Sequence, residues 1–422
     1  MSIQFSRRSL LKAIGMGVAV GLSPTMAQAV TTTLPHVIVV GGGFAGATAA
    51  KYLKMWGGLG VQVTLIEANP TYVSPILSNL VLNGQKTTAA LSFGYASHNQ
   101  KYGVNIIHAS VDSIDKTSQT VSLSNAQTLA YDRLILAPGI EFDAVAGHDF
   151  DKVPHAWKAG VQTDLLKAQI DAMQDGDAFV MTIPLAPYRC PPGPYERACV
   201  VADYLKNTKG FTNCTVTVLD ANAGITVEAT TFGNAFTGYG VTYVANAVVQ
   251  SVNSDTKTVT YNVNGGVAQE LTAATLNVIP NQKAGQIIFD AELNTGNWAP
   301  VNPLDYQSTL ASNIHIIGDS QGTSQPKAGH IGNSEAKVCA DAVLRSLNNL
   351  ALDPAPKTNS ACYSPISSNT ASWLTAVYQY DSGTQQMVAV PGANYPASEG
   401  ALTDNYSNMF NWSGNLFQDT FA

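Results

Sequence analysis

Charge is the first shortage. Only 12% of the 422 residues are Asp, Glu, Lys or Arg, about half the ~25% usual for soluble domains. With 22 basic against 29 acidic residues the formal charge is −7, which excludes a protein that grips nucleic acid by its phosphates. The apolar fraction of 45% is ordinary, so the missing charge is replaced by Asn, Gln, Ser and Thr in a chain that folds. The five cysteines, Cys190, Cys199, Cys214, Cys339 and Cys362, include no Cys-x-x-Cys metal site and no Cys-x-x-Cys-His haem attachment. Any haem therefore belongs to another chain. Seven histidines are scattered without i, i+4 pairs, and no metal is expected. After Lys357 there is no Lys or Arg at all, which removes the basic face of an amphipathic membrane anchor. At ~150 residues per domain the length calls for two or three domains.

What is present begins with an export pattern. Arg7-Arg8, a short apolar run from Ala13 to Leu22 and the small-residue site Ala27-Gln28-Ala29 resemble a twin-arginine signal over residues 1–29. The run is shorter than the ~18–20 apolar residues of a membrane span. The expected location is the periplasm, and that export route, which carries folded proteins, makes a bound cofactor worth seeking.

The next segment supplies one. His36 to Val40 is a continuous apolar run suited to a buried parallel strand. Gly41-Gly42-Gly43-Phe44-Ala45-Gly46 and a helix-forming stretch from Ala47 to Met55 follow it. Gly41 permits the turn, Gly43 lets backbone approach a pyrophosphate, and Gly46 lets the helix pack on the strand. A second strand, Val61 to Ile66, ends in Glu67, 21 residues after Gly46, where a carboxylate can accept from a ribose diol. Further on, Asp132 to Gly139 and Ile314 to Asp319 read as strands ending in small-residue turns. A helix-like run spans Asn333 to Leu347. The strand Asp177 to Ile183, the helix near Glu196 to Leu205 and the strand Cys214 to Leu219 outline a second such domain. Its glycine turn is replaced by Pro184 to Pro194, which contains Cys190, so NAD(P)H is not expected as electron donor.

The Asp132–Gly139 and Gly318-Asp319 segments resemble two-dinucleotide-domain flavoprotein reductases. Tyr188-Arg189-Cys190-Pro191-Pro192-Gly193-Pro194-Tyr195-Glu196-Arg197 narrows this. It resembles the flavoprotein subunit of flavocytochrome c sulfide dehydrogenase, near the sulfide:quinone oxidoreductases, as do Leu77-Ser78-Asn79, Pro326 to His330 and Ala361-Cys362-Tyr363-Ser364. The fold implied is α/β: two Rossmann-like dinucleotide-binding domains, the second degenerate, and a small C-terminal α+β domain. The FAD domain takes residues 30–142 and 282–352, the degenerate domain 143–281, and the flavin-covering or partner domain 353–422. The FAD contacts expected are Gly41, Gly43, Phe44, Ala45, Gly46, Glu67, Val111, Ala137, Gly139, Asp319, Lys327, Ala328 and Gly329. By this register Pro75 stands where covalent members carry their flavin-linking cysteine, so FAD is expected without a covalent bond.

The resemblance further implies that Cys190 and Cys362 form a redox-active disulfide opened by sulfide, with electrons passing through FAD to a c-type cytochrome subunit. Read from the residues alone, a bridge across 172 residues is equally well a structural one. Glu196, at a helix start, is the candidate proton-transfer group, and Arg189 is expected to lower the pKa of Cys190. Cys199, Cys214 and Cys339 are expected in the core, as are the C-terminal aromatics. Two other readings stand beside this one: a sulfide:quinone oxidoreductase, and a non-catalytic flavin carrier or chaperone for sulfur-oxidation proteins.

Overall fold

The computed structural model describes residues 34–393 and 400–422, so the expected export signal at residues 1–29 lies outside the described chain. The strand His36–Val40 sits inside a seven-stranded sheet, flanked in parallel by Gln62–Ile66 on one side and Arg133–Leu136 on the other. Asn105–Ile107 extends the sheet beyond the former, Ile314–Ile316 beyond the latter, and two short antiparallel strands complete the edge. Val37, Ile38 and Val39 have no solvent exposure, as a strand covered on both faces requires. One face carries the helices Phe44–Gly57 and Gly329–Leu347, which pack through Ala47, Ala50, Ala336 and Ala340. The other face closes against Ile288, Leu293 and the β-hairpin residues Val121 and Leu123.

A second parallel sheet runs Thr242–Val244, Thr215–Asp220, Ala178–Ile183 and Thr275–Asn277 in space. The order reverses at Ala178–Ile183, whose carboxyl end is therefore a switch point, the place where such sheets bind or react. The proline-rich segment leaves this end and turns into the helix Gly193–Asp203. An antiparallel three-stranded sheet, Lys357–Pro365, Ala371–Asp381 and Gln386–Ala389, and the helix Thr403–Phe421 complete the α/β fold. Of the C-terminal aromatics expected in the core, Tyr380 is buried and the others are half-buried; Phe417 stacks on Phe44, and the buried Phe421 stacks on Phe93 and tilts against Phe44.

Two elements differ from the sequence expectation. The helix expected from Asn333 begins at Gly329. Glycines at 329 and 332 weaken the local signal, yet a Cβ at Gly329 would meet Phe44 at 2.7 Å, so packing against the first helix demands glycine at 329. Cys199 and Cys339 are fully buried, whereas Cys214 is half-exposed, one residue before its strand, with Sγ donating to the Gln174 carbonyl at 3.2 Å.

The tightest approach is at Gly46, where a Cβ would lie 1.8 Å from the Gly41 carbonyl oxygen, with no strained φ involved. Backbone cannot yield there as a side chain can. Gly46→Ala should therefore cost at least ~1–3 kcal/mol, read as a lowered midpoint of thermal unfolding. Gly60→Ala, with nothing within 4 Å of its Cβ, should stay within ~0.5 kcal/mol of the parent. Equal midpoints for the two variants would refute the close-packing argument.

Candidate functional site

The carboxyl ends of the first sheet open onto a cavity of about 840 Å³ lined by Gly41, Gly43, Phe44, Ala45, Glu67, Ala137, Gly139, Asp319, Ala328 and Gly329. These are ten of the thirteen residues expected to contact FAD. Gly41 has φ +97, and a Cβ there would lie 2.3 Å from the Ala137 carbonyl oxygen, so only glycine makes this turn. The amino end of Phe44–Gly57 faces the cavity, and its unpaired amides are suited to phosphate. Glu67 accepts from Gly42 N–H at 2.7 Å and from Asn69 N–H at 2.9 Å. The carboxylate thereby braces the glycine turn against the second strand while lining the cavity. Asp319 is pushed up by burial against the pull of Arg189 and Lys327. Volume, glycine turn, ribose-facing acid and two helix amino ends together fit FAD.

Three expected contacts lie elsewhere. Gly46 packs helix on strand and does not line the cavity. Val111 turns away, and its neighbour Ser110 lines the wall instead. Lys327 points off the cavity: its Nζ donates to the Asp319 carbonyl at 3.0 Å and sits 3.7 Å from the Trp298 ring centroid. Val111 is the first residue of the strand Val111–Asp115, where consecutive side chains point to opposite sides.

Pro75, Arg189, Ala328 and Gly329 also line a second, smaller cavity of about 60 Å³, so the two share a wall. Cys190, Cys362 and Glu196 all line this smaller cavity, together with Asn79, Trp157, Arg197, His330, Tyr363 and Trp412. The tertiary structure thus brings the two cysteines to one site, where both are present as half-buried free thiols. Cys190 has φ +57, and its N–H donates to the Lys327 carbonyl at 2.7 Å, which ties the proline-rich loop to the segment before helix Gly329–Leu347. Gly193 leaves room for the sulfur, since a Cβ there would lie 2.9 Å from Cys190 Sγ.

Asn79, quoted in the motif but given no role by it, holds the site together. Its Nδ2 donates to Glu196 Oε1 at 2.9 Å and to the Gly193 carbonyl at 3.1 Å, and its Oδ1 accepts from Arg197 Nε at 2.9 Å. Burial pushes Glu196 up to about 8 despite Asn79 and Arg197, which favour its charge. Burial, aided by Glu196, pushes Cys190 up to about 12. The expected lowering by Arg189 is present and is outweighed. Cys362 is raised by burial, then by Cys190, Glu228 and Glu196. His330 is lowered by burial, and its Nδ1 accepts from Ala361 N–H at 2.9 Å, so the ring fastens the cysteine strand to the helix and stays neutral. Among the described residues no helix is long and apolar enough to cross a membrane.

Comparison with known proteins agrees with this geometry. Residues 163–280 match the family model described as the sulfide dehydrogenase [flavocytochrome c] flavoprotein chain, central. Residues 354–421 match the flavocytochrome c sulphide dehydrogenase flavin-binding model, and residues 35–157 the pyridine nucleotide-disulphide oxidoreductase model. A sulfide-quinone reductase of Aquifex aeolicus (strain VF5) is 22% identical over 354 residues, covering 78% of this chain and 80% of that protein. Ferroptosis suppressor protein 1 of Taeniopygia guttata is 34% identical over 109 residues, only 25% of this chain and 26% of that protein. The solved sulfide:quinone oxidoreductase of Aquifex aeolicus superposes with a TM-score of 0.76 at 17% identity, covering 92% of each chain. The chain therefore carries the central and flavin-binding domains of the flavocytochrome c sulfide dehydrogenase flavoprotein chain behind a pyridine nucleotide-disulphide oxidoreductase domain, and it belongs to the FAD-dependent disulfide-oxidoreductase-like superfamily.

Proposed function

We propose that this oxidoreductase takes electrons from sulfide, or a closely related reduced sulfur species, through a disulfide formed by Cys190 and Cys362, and passes them through FAD to a c-type cytochrome in the periplasm. The observation that carries the reading is the shared cavity: two cysteines 172 residues apart and a proton-holding acid line one small chamber walled against the FAD cavity. About 60 Å³ admits a hydrosulfide ion. The cytochrome is supported by the two flavocytochrome domains, and the periplasm by the twin-arginine pattern at residues 1–29. Similarity to sulfide-quinone reductase supports a quinone as the second choice of acceptor.

The residues make the following chemistry available. Hydrosulfide attacks one sulfur of the bridge and the S–S bond breaks, leaving a persulfide on one cysteine and releasing the other as thiolate. Because burial holds these thiols protonated to high pH, the leaving sulfur takes the proton that Glu196 carries below about 8. A second hydrosulfide removes the outer sulfur as hydrodisulfide and leaves both cysteines as thiols. Closing the bridge again then releases two protons and one electron pair. FAD, when bound, supplies the acceptor for that pair. One proton returns to Glu196, and the other must leave.

Three outcomes are expected. Cys190→Ser and Cys362→Ser should each retain FAD yet lose bleaching of the flavin by sulfide, while Cys199→Ser, altered in the core of the neighbouring helix, should retain both. Normal bleaching in either of the first two would rule out the disulfide route. Bleaching should slow as pH rises past about 8, where Glu196 gives up its proton. Glu196→Gln should lose that alkaline limb and be slower by ~10²-fold at neutral pH; an unchanged profile would remove Glu196 from the mechanism. Acid precipitation should release the yellow colour to the supernatant, since Pro75 offers no side chain for a covalent link. Colour retained by the pellet would contradict a non-covalent cofactor.

A further inference from the structure

Re-forming the Cys190–Cys362 bridge releases two protons, and the cavity wall contains one carboxyl, Glu196, that can take them. Glu196 is 8% exposed and bonded to Asn79, so it does not reach water directly. A second carboxyl stands behind the other cysteine. Glu228 does not line the cavity, yet its charge adds to the burial that raises Glu196 and Cys362. Its hydrogen-bond partner is Ser364, two residues beyond Cys362 on the same strand. Residues two apart on a strand share a face, and Cys362 and Ser364 lie in the unbroken register of Lys357–Pro365 against Ala371–Asp381. Ser364 is fully buried, and its Oγ donates to Glu228 Oε2 at 3.3 Å.

Three features of Glu228 suit a proton carrier better than a structural acid. Its Oε1 is buried without a close hydrogen-bond partner among the described residues, with the Ser372 hydroxyl nearby, while the residue as a whole is part-exposed. It precedes the helix Ala229–Tyr239 in a left-handed conformation, φ +51, rarely held by glutamate. Such strain persists only where the surroundings impose it. The helix amino end favours its charged form while burial favours the neutral one, leaving a group that can be loaded and unloaded.

We propose that Glu228 is the proton outlet of Cys362, acting through the Ser364 hydroxyl, while Glu196 serves Cys190. When the bridge closes, the Cys362 proton crosses the ~6.6 Å between alternate strand residues through one water to Ser364 Oγ, that hydroxyl gives its own proton to Glu228, and Glu228 releases it to solvent. The Cys190 proton goes to Glu196, and the electron pair leaves for the flavin. The division of labour rests on the function proposed above. The other charged groups acting on the pair are Arg197, on the helix of Glu196, Arg189 beside Cys190, and Asp319, all of which act on Cys190 or Glu196, while His330 and Tyr363 line the same cavity.

The test compares Glu228→Gln, Glu228→Asp and Ser364→Ala with the parent as flavin-loaded protein. In the first measurement the cysteines are reduced and alkylated with iodoacetamide across a pH series, and labelling is quantified separately at Cys190 and Cys362 by peptide mapping. Glu228→Gln should speed Cys362 labelling roughly threefold to tenfold at fixed alkaline pH, because a negative neighbour is gone, and leave Cys190 near the parent. Glu196→Gln should speed labelling of Cys190, and of Cys362 to a smaller extent. In the second, steady-state sulfide oxidation with added cytochrome c should fall by ~10-fold or more in Glu228→Gln and Ser364→Ala, with Glu228→Asp restoring most of the loss. A purely structural Glu228 would change thermal stability without this split between the two cysteines. Unchanged Cys362 labelling in Glu228→Gln, or parent-like turnover in that variant, would overturn the proposal. If the labelling split appears but sulfide fails to reduce the parent flavin, the functional reading falls and the Glu228–Cys362 coupling stands.

Discussion

The guanidinium of Arg197 is 2% exposed and has no carboxylate among its hydrogen-bond acceptors in the described residues. It donates instead to Asn79 Oδ1, to the carbonyls of His155 and Ala156, and to Asn277 Oδ1. Hydrogen bonds to a charged group contribute ~1.5–3 kcal/mol each, and a buried cation without them would be far too costly to keep. The acceptors come from three separate stretches: the first residue of the short helix Asn79–Leu82, the segment approaching Trp157, and the parallel strand Thr275–Asn277. One side chain therefore holds the cysteine helix in register with the loop that faces the FAD cavity. Trp157 covers the same cation with its ring, 5.0 Å from the guanidinium carbon.

That constraint fixes the electrostatic character of the cavity. With Arg197 committed to backbone and amide oxygens, Glu196 receives no ion pair, and burial keeps its proton on to about pH 8. A protonated acid beside high-pKa thiols suits a site that cycles between disulfide and dithiol, because proton and electron movements stay coupled. Had Arg189 dominated, Cys190 would be a stable thiolate, a better nucleophile and a poorer acceptor of the carboxyl proton. The shared wall of Pro75, Arg189, Ala328 and Gly329 keeps the two cavities adjacent while their chemistry stays distinct.

Much of the fold was legible because strong local signals agreed with one another. The apolar runs at His36–Val40 and Ala178–Ile183 emerge as parallel strands within one residue of expectation, since continuous β-branched stretches bounded by Gly and Asp have few alternatives. The site was less legible. Val111 and Lys327 do not line the cavity, and no local pattern announces which side of a segment faces one. Glu228 carried no motif at all.

By itself the sequence determined the glycine turn with its acid, the absence of a second such turn, and the presence of cysteines in two motif-bearing segments, because each depends on residue type at short spacing. Only the tertiary structure decided that Cys190 and Cys362 share a chamber, that Asn79 and Arg197 lock it, and that burial outweighs Arg189 in setting the thiol's proton affinity. Those are through-space outcomes. They follow from desolvation and from contacts between residues more than a hundred positions apart, which no local pattern encodes.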